Sequence, residues 1–387
     1  MMYKMPLIEL SLATILVIVM AIPAIVYLLN HNFELKKVVF IVPLLLYLLY
    51  SAAKGTAKEG VINVLILIHI IAITQGIVNV ERIKKYFTFF AVVASVLVIF
   101  QQLLHLVTGF HLPLIIYPAI LDGLKEAYQS AIVSGVSRWG GMYRPAAFFL
   151  EPAHFSQYCY IGLLCALLDT RNSLRKAIVI SLGILATGSG LGLLITPLCW
   201  GIWIYEKKLK GNIKHKFSTI VVILLVVPII GYALYSIPFV ESAVSRLTAT
   251  DGDYNAIDGR LFFWDRYFGN ESASSLLYGY GVEELPEEEF FTGMMTLLYA
   301  YGVIGMTLFY LSLIIMIIRF KSIGRYVLLF YLGLTFSSDI IGFIWIIVIV
   351  GFAISLHSQP IMQRQRHRKV KLISITNESS LIVPQNE

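Results

Sequence analysis

Residues 144–154 read Arg144-Pro145-Ala146-Ala147-Phe148-Phe149-Leu150-Glu151-Pro152-Ala153-His154, placing a guanidinium, a carboxylate and an imidazole together in a chain with few charges. Arg144 suits a diphosphate or a carboxylate, which a guanidinium grips through two parallel N–H bonds. It equally suits the membrane rim, where an arginine stem lies on apolar surface with its head in water. Glu151 stands just before Pro152, a residue well tolerated in a first helical turn, so its carboxylate can face the positive end of a helix. Beside a hydroxyl, the same carboxylate is a general base, or it orients the arginine. His154, three residues on, shares a helix face with Gln157 and is either a hydrogen-bonded packing residue or a proton carrier.

A second group of candidates lies further on. Asp258-Gly259-Arg260-Leu261-Phe262-Phe263-Trp264-Asp265-Arg266 carries two arginines, and Arg246 precedes them. On a helix, a six-residue separation turns through about 600°, so Arg260 and Arg266 do not share a stripe. They can flank a ligand, and the aromatics between them fit a helix lying at the headgroup level. Tyr278-Gly279-Tyr280-Gly281 is a turn by composition, and its glycines permit close backbone approach to a ligand. The acidic run around Glu283, Glu284 and Glu287 reads as a solvated face. Asp251-Gly252-Asp253-Tyr254-Asn255 fails as a calcium loop, since Ala256 and Phe262 occupy its glycine and closing glutamate positions. Cys159, Cys165 and Cys199 lie in apolar segments without a paired spacing, so no metal site and no disulfide framework is expected.

The elements that must position these groups are membrane helices. Of 387 residues, 58% are hydrophobic and 14% charged, against about 25% charged in a soluble domain. Mean hydropathy is +0.79. Continuous apolar runs near the length of a bilayer crossing make the chain an all-α, polytopic membrane protein and exclude a β-barrel, whose strands would alternate. The expected spans are roughly 7–29, 37–53, 61–78, 86–107, 153–169, 177–204, 217–236, 293–318 and 326–356, the first read as retained and not cleaved. The segments 177–204 and 326–356 each lie between basic connectors and must turn back, as short or re-entrant helical hairpins, at Thr187-Gly188-Ser189-Gly190 and at Ser337-Ser338-Asp339. Counting each twice gives about 11 crossings, so the expected fold is one of about 11–12 transmembrane helices.

Net charge is +7, carried by short connectors. Such a distribution reflects orientation, with Lys and Arg on the cytoplasmic side, and excludes nucleic-acid binding, which needs a basic surface interleaved with aromatics. Two large loops remain, about 108–152 and 237–292. The second holds eleven Asp and Glu against three Arg and no Lys, so both loops are assigned to the extracytoplasmic face. Residues 1–356 thus form a single membrane domain, and 357–387 form a basic tail expected to be disordered. Charges gathered at one edge favour chemistry on a polar substrate tethered to lipid. A transporter or flippase would instead carry ionisable groups at mid-membrane, where only Glu9, His69 and Asp339 lie, with His105 near a span end.

The run from Arg144 to Ser156 resembles the Arg-Pro-x-x-Phe-x-Glu-Pro segment of Wzy-type O-antigen and capsular polysaccharide repeat-unit polymerases. Thr187-Gly188-Ser189-Gly190, Gly259-Arg260, Leu277-Tyr278-Gly279-Tyr280-Gly281 and Tyr301-Gly302-Val303-Ile304-Gly305 follow in the same order as in that family, so that the likeness covers about residues 140–310. The resemblance implies a GT-C-like glycosyltransferase of the bacterial cytoplasmic membrane. It would transfer a polyprenyl-diphosphate-linked glycan onto an undecaprenyl-diphosphate-linked oligosaccharide, with no cofactor and no metal. A chain-length regulator and a flippase of the same pathway are its implied partners. Arg144, with Arg246, Arg260 or Arg266, would hold the leaving diphosphate. Glu151 or His154 would orient or deprotonate the acceptor hydroxyl, and Tyr278, Gly279 and Gly281 would border the glycan. O-antigen ligases share the architecture and are the alternative, followed by a lipid-linked oligosaccharide flippase. Arg144→Ala is expected to abolish glycan chain extension while the protein still inserts in the membrane. A normal chain-length ladder from that variant would contradict the assignment.

Overall fold

The computed structural model describes residues 12–77, 79–112, 143–149, 152–168, 174–206, 272–281, 292–320, 324–326 and 328–329. Glu151, Arg246, Arg260, Arg266, the expected span 217–236, nearly all of 326–356, and the tail lie outside them. Every regular element among the described residues is helical: α1 (Leu12–Asn30), α2 (Val42–Lys54), α3 (Ala57–Gln75), α4 (Val80–Thr108), α5 (Pro152–Leu168), α6 (Leu174–Ala186), α7 (Gly190–Ile204), α8 (Ala273–Tyr278) and α9 (Gly293–Phe320), with two short 3-10 turns ahead of α2. Three stretches, Leu35–Lys54, Arg82–Thr108 and Gly293–Arg319, are long and apolar enough to cross a membrane. At 1.5 Å per residue the 29 residues of α4 reach about 43 Å, more than a hydrocarbon core of about 30 Å.

The outer surface of this bundle could not stand in water. Along α4, Phe89, Phe90, Val93, Val96, Phe100, Leu103, Leu106 and Val107 are all exposed, Val107 at 83%. So continuous an apolar face marks contact with lipid. The opposite face of the same helix is lined by Ala91, Ala94, Ser95 and Val98, each fully buried. Small side chains there let neighbouring backbones approach, the usual means of helix association where lipid removes the hydrophobic drive. α4 packs on α5 and α6 through this stripe. Gly162 of α5 lies against Ala91, and Gly183 of α6 lies against Ser95, each so close that an added Cβ would collide. The Cys159 thiol fits between them, 3.9 Å from both the Ser95 hydroxyl and the Ala91 carbonyl oxygen.

α6 and α7 form a hairpin that reverses at Thr187-Gly188. With 13 and 15 residues, each arm falls short of the roughly 20 that a crossing requires. The reversal is buried, and its polar backbone is satisfied locally. The Thr187 hydroxyl donates to Ile184 O at 2.7 Å and accepts from Ser189 N at 3.2 Å, while Gly188 N donates to Leu185 O at 3.0 Å.

α9 corrects one expectation. Read from its sequence, 293–318 is a single uninterrupted span; in the structure, Gly302 interrupts it with φ 65° and ψ −171°. The backbone of Gly279, also left-handed at φ 72°, crosses this break so closely that a Cβ on either glycine would strike the other segment's backbone. Tyr280 N and Gly281 N donate to Tyr299 O and Ala300 O at 2.8 and 2.9 Å. Two left-handed glycines facing each other thus replace a turn of helix with a short backbone-to-backbone pairing.

The charges sort by end. α3 ends and α4 begins within five residues of each other, and Glu34 N donates to the Gln75 side chain at 3.1 Å. Lys36, Lys37, Arg82, Lys84 and Lys85 therefore share one end of the bundle. α5 runs antiparallel to α4, so Arg175 and Lys176 at the start of α6 lie there too, as does the Glu206–Arg325 ion pair (3.6 Å), which closes the C-terminal side of α7. Gln101, His105 and the 143–149 segment lie at the opposite end, as do Lys54 and Gly279. Gly162→Leu is expected to destabilise the α4–α5 contact by about 1–3 kcal/mol through overpacking. Thermal unfolding in detergent checks it, with Gly201→Leu, which faces open space, as the control expected to change little.

Candidate functional site

Arg144 and its neighbours have no helix of their own; α4 supplies what their backbone needs. Gln101, one turn before His105 on α4 and buried to 2% exposure, accepts from Ala147 N at 2.9 Å and donates to Leu112 O at 2.8 Å. One carboxamide thus ties residues 143–149 to the segment that leaves α4. Tyr143 adds a third strand to the tie, its hydroxyl donating to Leu112 O at 3.2 Å. A turn closes between Ala146 O and Phe149 N at 2.9 Å, with Ala147 in the left-handed region at φ 50°. For a residue with a Cβ that conformation is uncommon and is held only when the surroundings fix it. Phe149 packs edge-on against Phe155 of α5 and tilted against Tyr158, which seats the segment over the start of α5.

α5 begins at Pro152, whose missing N–H costs nothing in a first turn. His154 lies in that turn and is partly buried, and Arg144 is partly buried as well. One turn deeper, Ser156 and Gln157 are buried at 3% and 1%. The α6–α7 reversal reaches this level: a Cβ on Gly192 would come to 3.0 Å from the Ser156 hydroxyl. Gln101, Gln102, Ser156, Gln157, Thr187 and Ser189 therefore form a buried polar layer at the end away from the basic connectors. In an apolar bundle such a layer is costly unless it serves structure or ligand.

Above the layer sit three rings. His105 and His111 stack with centroids 4.6 Å apart, and Tyr143 packs on both at 4.7 Å. Burial and the neighbouring His105 hold the His111 imidazole below its ordinary pKa. Burial pushes the Tyr143 phenol up to about 12, against the opposing pull of its bond to Leu112. At neutral pH Tyr143 is thus a hydrogen-bond donor, not an anion.

Of the residues expected from sequence, Arg144 and His154 lie on two segments that meet at the junction of α4 and α5 through Phe149, Phe155 and Tyr158. Tyr278, Gly279 and Gly281 lie elsewhere on the same end, at the junction of α2 and α9. There Tyr50 donates its hydroxyl to Tyr278 O at 2.7 Å, and the Lys54 ammonium donates to Gly279 O at 3.2 Å. The close approach that Gly279 allows is to the Ala300 and Gly302 backbone, and that of Gly281 is to the Lys54 carbonyl. The rings of Tyr278 and Tyr280 remain exposed. Gln101, His111 and Tyr143 belong to no motif. The one signal nearby is Gln101 and His105, four residues apart at the end of an apolar run, a spacing that puts both on one helix face.

The chain matches no protein-family model and no curated protein. Gln101→Leu is expected to orphan the buried Ala147 N, at about 1–3 kcal/mol, while Leu112 O keeps the Tyr143 hydroxyl. Hydrogen exchange at the Ala147 amide should then speed up by about tenfold or more. Unchanged exchange would contradict the tie.

Proposed function

We propose that this chain is a membrane-embedded glycosyltransferase that polymerises lipid-linked oligosaccharide repeat units at the extracytoplasmic face of the bacterial cytoplasmic membrane. The observation that carries this reading is the placement of Arg144. Its segment is held by Gln101 against the start of α5, beside a buried polar layer, at the end of the bundle opposite the cation-rich connectors. Basic connectors mark the cytoplasmic end, so the guanidinium faces the outer headgroup level. A diphosphate on a polyprenyl chain presents its charge at that level. The likeness of 144–156 to the polymerase segment supports the same reading, although the spacing here is one residue longer between Phe148 and Glu151. On this reading the whole chain is a GT-C-like fold of about 11–12 transmembrane helices, with the α6–α7 hairpin as one of its two short ones.

The chemistry follows from charge. Transfer of a glycan from its lipid diphosphate leaves a diphosphate anion, and fixed cations in a site of low dielectric stabilise that developing charge without reorganising. Arg144 supplies one such cation, and Arg246, Arg260 or Arg266 from the second large loop supplies another. The acceptor hydroxyl must lose a proton as the new glycosidic bond forms. Glu151 and His154 bracket the start of α5 and are the groups proposed to take it or to orient the hydroxyl. The exposed rings of Tyr278 and Tyr280 offer flat faces to a sugar. Lipid-linked repeat units reach this face from a flippase, and a chain-length regulator would set the product length.

Deleting the gene and resolving the surface glycan by size tests the assignment. Chains one repeat long, restored to a ladder by the wild-type gene but not by Arg144→Ala, are expected. Full-length polymer accumulating on its lipid would instead identify a ligase, and single repeats trapped on the cytoplasmic side would identify a flippase.

A further inference from the structure

The three-ring group at the end of α4 has features that apolar packing does not explain. Two phenylalanines would stack as well as two histidines. Instead, His105 Nδ1 and His111 Nε2 are both buried from solvent with no hydrogen-bond partner. Burying a polar nitrogen without a partner is unfavourable, and here it happens twice, on rings whose centroids lie 4.6 Å apart. As neutral imidazoles, each ring carries one N–H and one lone pair. Protonated, each nitrogen becomes a donor. Two imidazolium charges at that separation repel, so the doubly charged state requires an anion beside it.

The described surroundings favour such an anion. His105 lies in the last turn of α4, where the helix carbonyls favour a cationic ring. Among the described residues at this end of α4, in the 143–149 segment and in the first turn of α5, the His, Arg and Tyr side chains are His105, His111, Tyr143, Arg144 and His154; Glu81, Arg82, Lys84 and Lys85 lie at the other end of α4, and Glu151, just before α5, is outside the described residues. Tyr143 holds both imidazoles by its ring and continues directly into Arg144. Gln101 fixes the backbone on both sides of the pair, at Leu112 and at Ala147. The imidazoles are therefore held in place before any ligand arrives.

We propose that His105 and His111 form a proton-gated oxyanion-binding pair that grips a phosphoryl group alongside Arg144. This rests on residues 144–154 being a diphosphate site, and it adds a pH-dependent half to that site. Without ligand, burial and the neighbouring His105 ring hold His111 below its ordinary pKa. A phosphoryl oxygen accepting from both rings raises their pKa values, and the pair takes up protons as the ligand binds. By linkage, the affinity is highest below the pKa of the liganded pair and is lost as pH rises through it.

The test uses the full chain in detergent, with farnesyl diphosphate as the probe, in calorimetric titrations at pH 7 in two buffers of different ionisation heat. The His105→Asn/His111→Asn double variant reports the ligand's own proton exchange, and its difference from wild type isolates the imidazoles. Wild type is expected to take up close to one more proton per bound ligand than the variant. Its affinity should fall by up to about tenfold per pH unit more steeply between pH 6 and 8. Equal proton uptake and equal pH slopes, with both proteins binding, overturn the imidazole proposal and leave the diphosphate site standing. No binding of the probe to wild type overturns the diphosphate site itself. If the double variant does not fold, spectra of wild type with 13Cε1-labelled histidine carry the test. Two ring signals moving to imidazolium positions on adding farnesyl diphosphate support the pair, and unmoved signals overturn it.

Discussion

Backbone that leaves the helix inside an apolar bundle must have its hydrogen bonds supplied by something nearby, because lipid supplies none. The described structure meets that demand at three places, each by a different device. Between residues 143–149 and Leu112, a single glutamine side chain from α4 serves two backbone groups, Ala147 N and Leu112 O. At the α6–α7 reversal a threonine hydroxyl both donates and accepts within three residues. At the break in α9, two glycines let one backbone pair directly with another. Among the described residues, these are the places where backbone polar groups outside the helices are gathered and satisfied.

The three devices differ in what they leave over. The threonine and the paired glycines satisfy themselves, with Tyr50 and Lys54 tightening the second from α2. The glutamine tie leaves Arg144 partly buried and two imidazole nitrogens turned inward. It also fixes Ala147 in a conformation that a free loop would seldom adopt. Rigidity of this kind matters for a site that must stabilise charge as it develops, because donors already in position need not move. The proposed function thus falls at the junction of α4 and α5, whereas the junction of α2 and α9 satisfies its own backbone.

Much of the frame was legible from residue order alone. Apolar runs located α1 to α4 and α5 to within a few residues, and the basic connectors on either side of 177–204 required a reversal where α6 meets α7. The Arg144 segment stood out because three ionisable groups crowd an apolar neighbourhood. What sequence could not show was the partner that holds that segment. Gln101 is separated from Ala147 by 46 residues, and long-range pairing leaves no local periodicity. The break at Gly302 was hidden for a related reason: a glycine in an apolar run reads as a packing residue until a second glycine, Gly279, is seen crossing it. His111 and Tyr143 sit in otherwise unpatterned sequence and acquire meaning only through contact with His105.

The proposed function requires the Arg144 end of the bundle to face away from the cytoplasm, opposite the basic end. Single-cysteine accessibility in intact cells measures this most directly. Phe110→Cys places an exposed thiol beside the imidazole pair, and Arg175→Cys places one at the start of α6; the native cysteines are buried. The account predicts that a membrane-impermeant maleimide labels the first in intact cells and the second only after the membrane is opened. Labelling in the reverse order would contradict it.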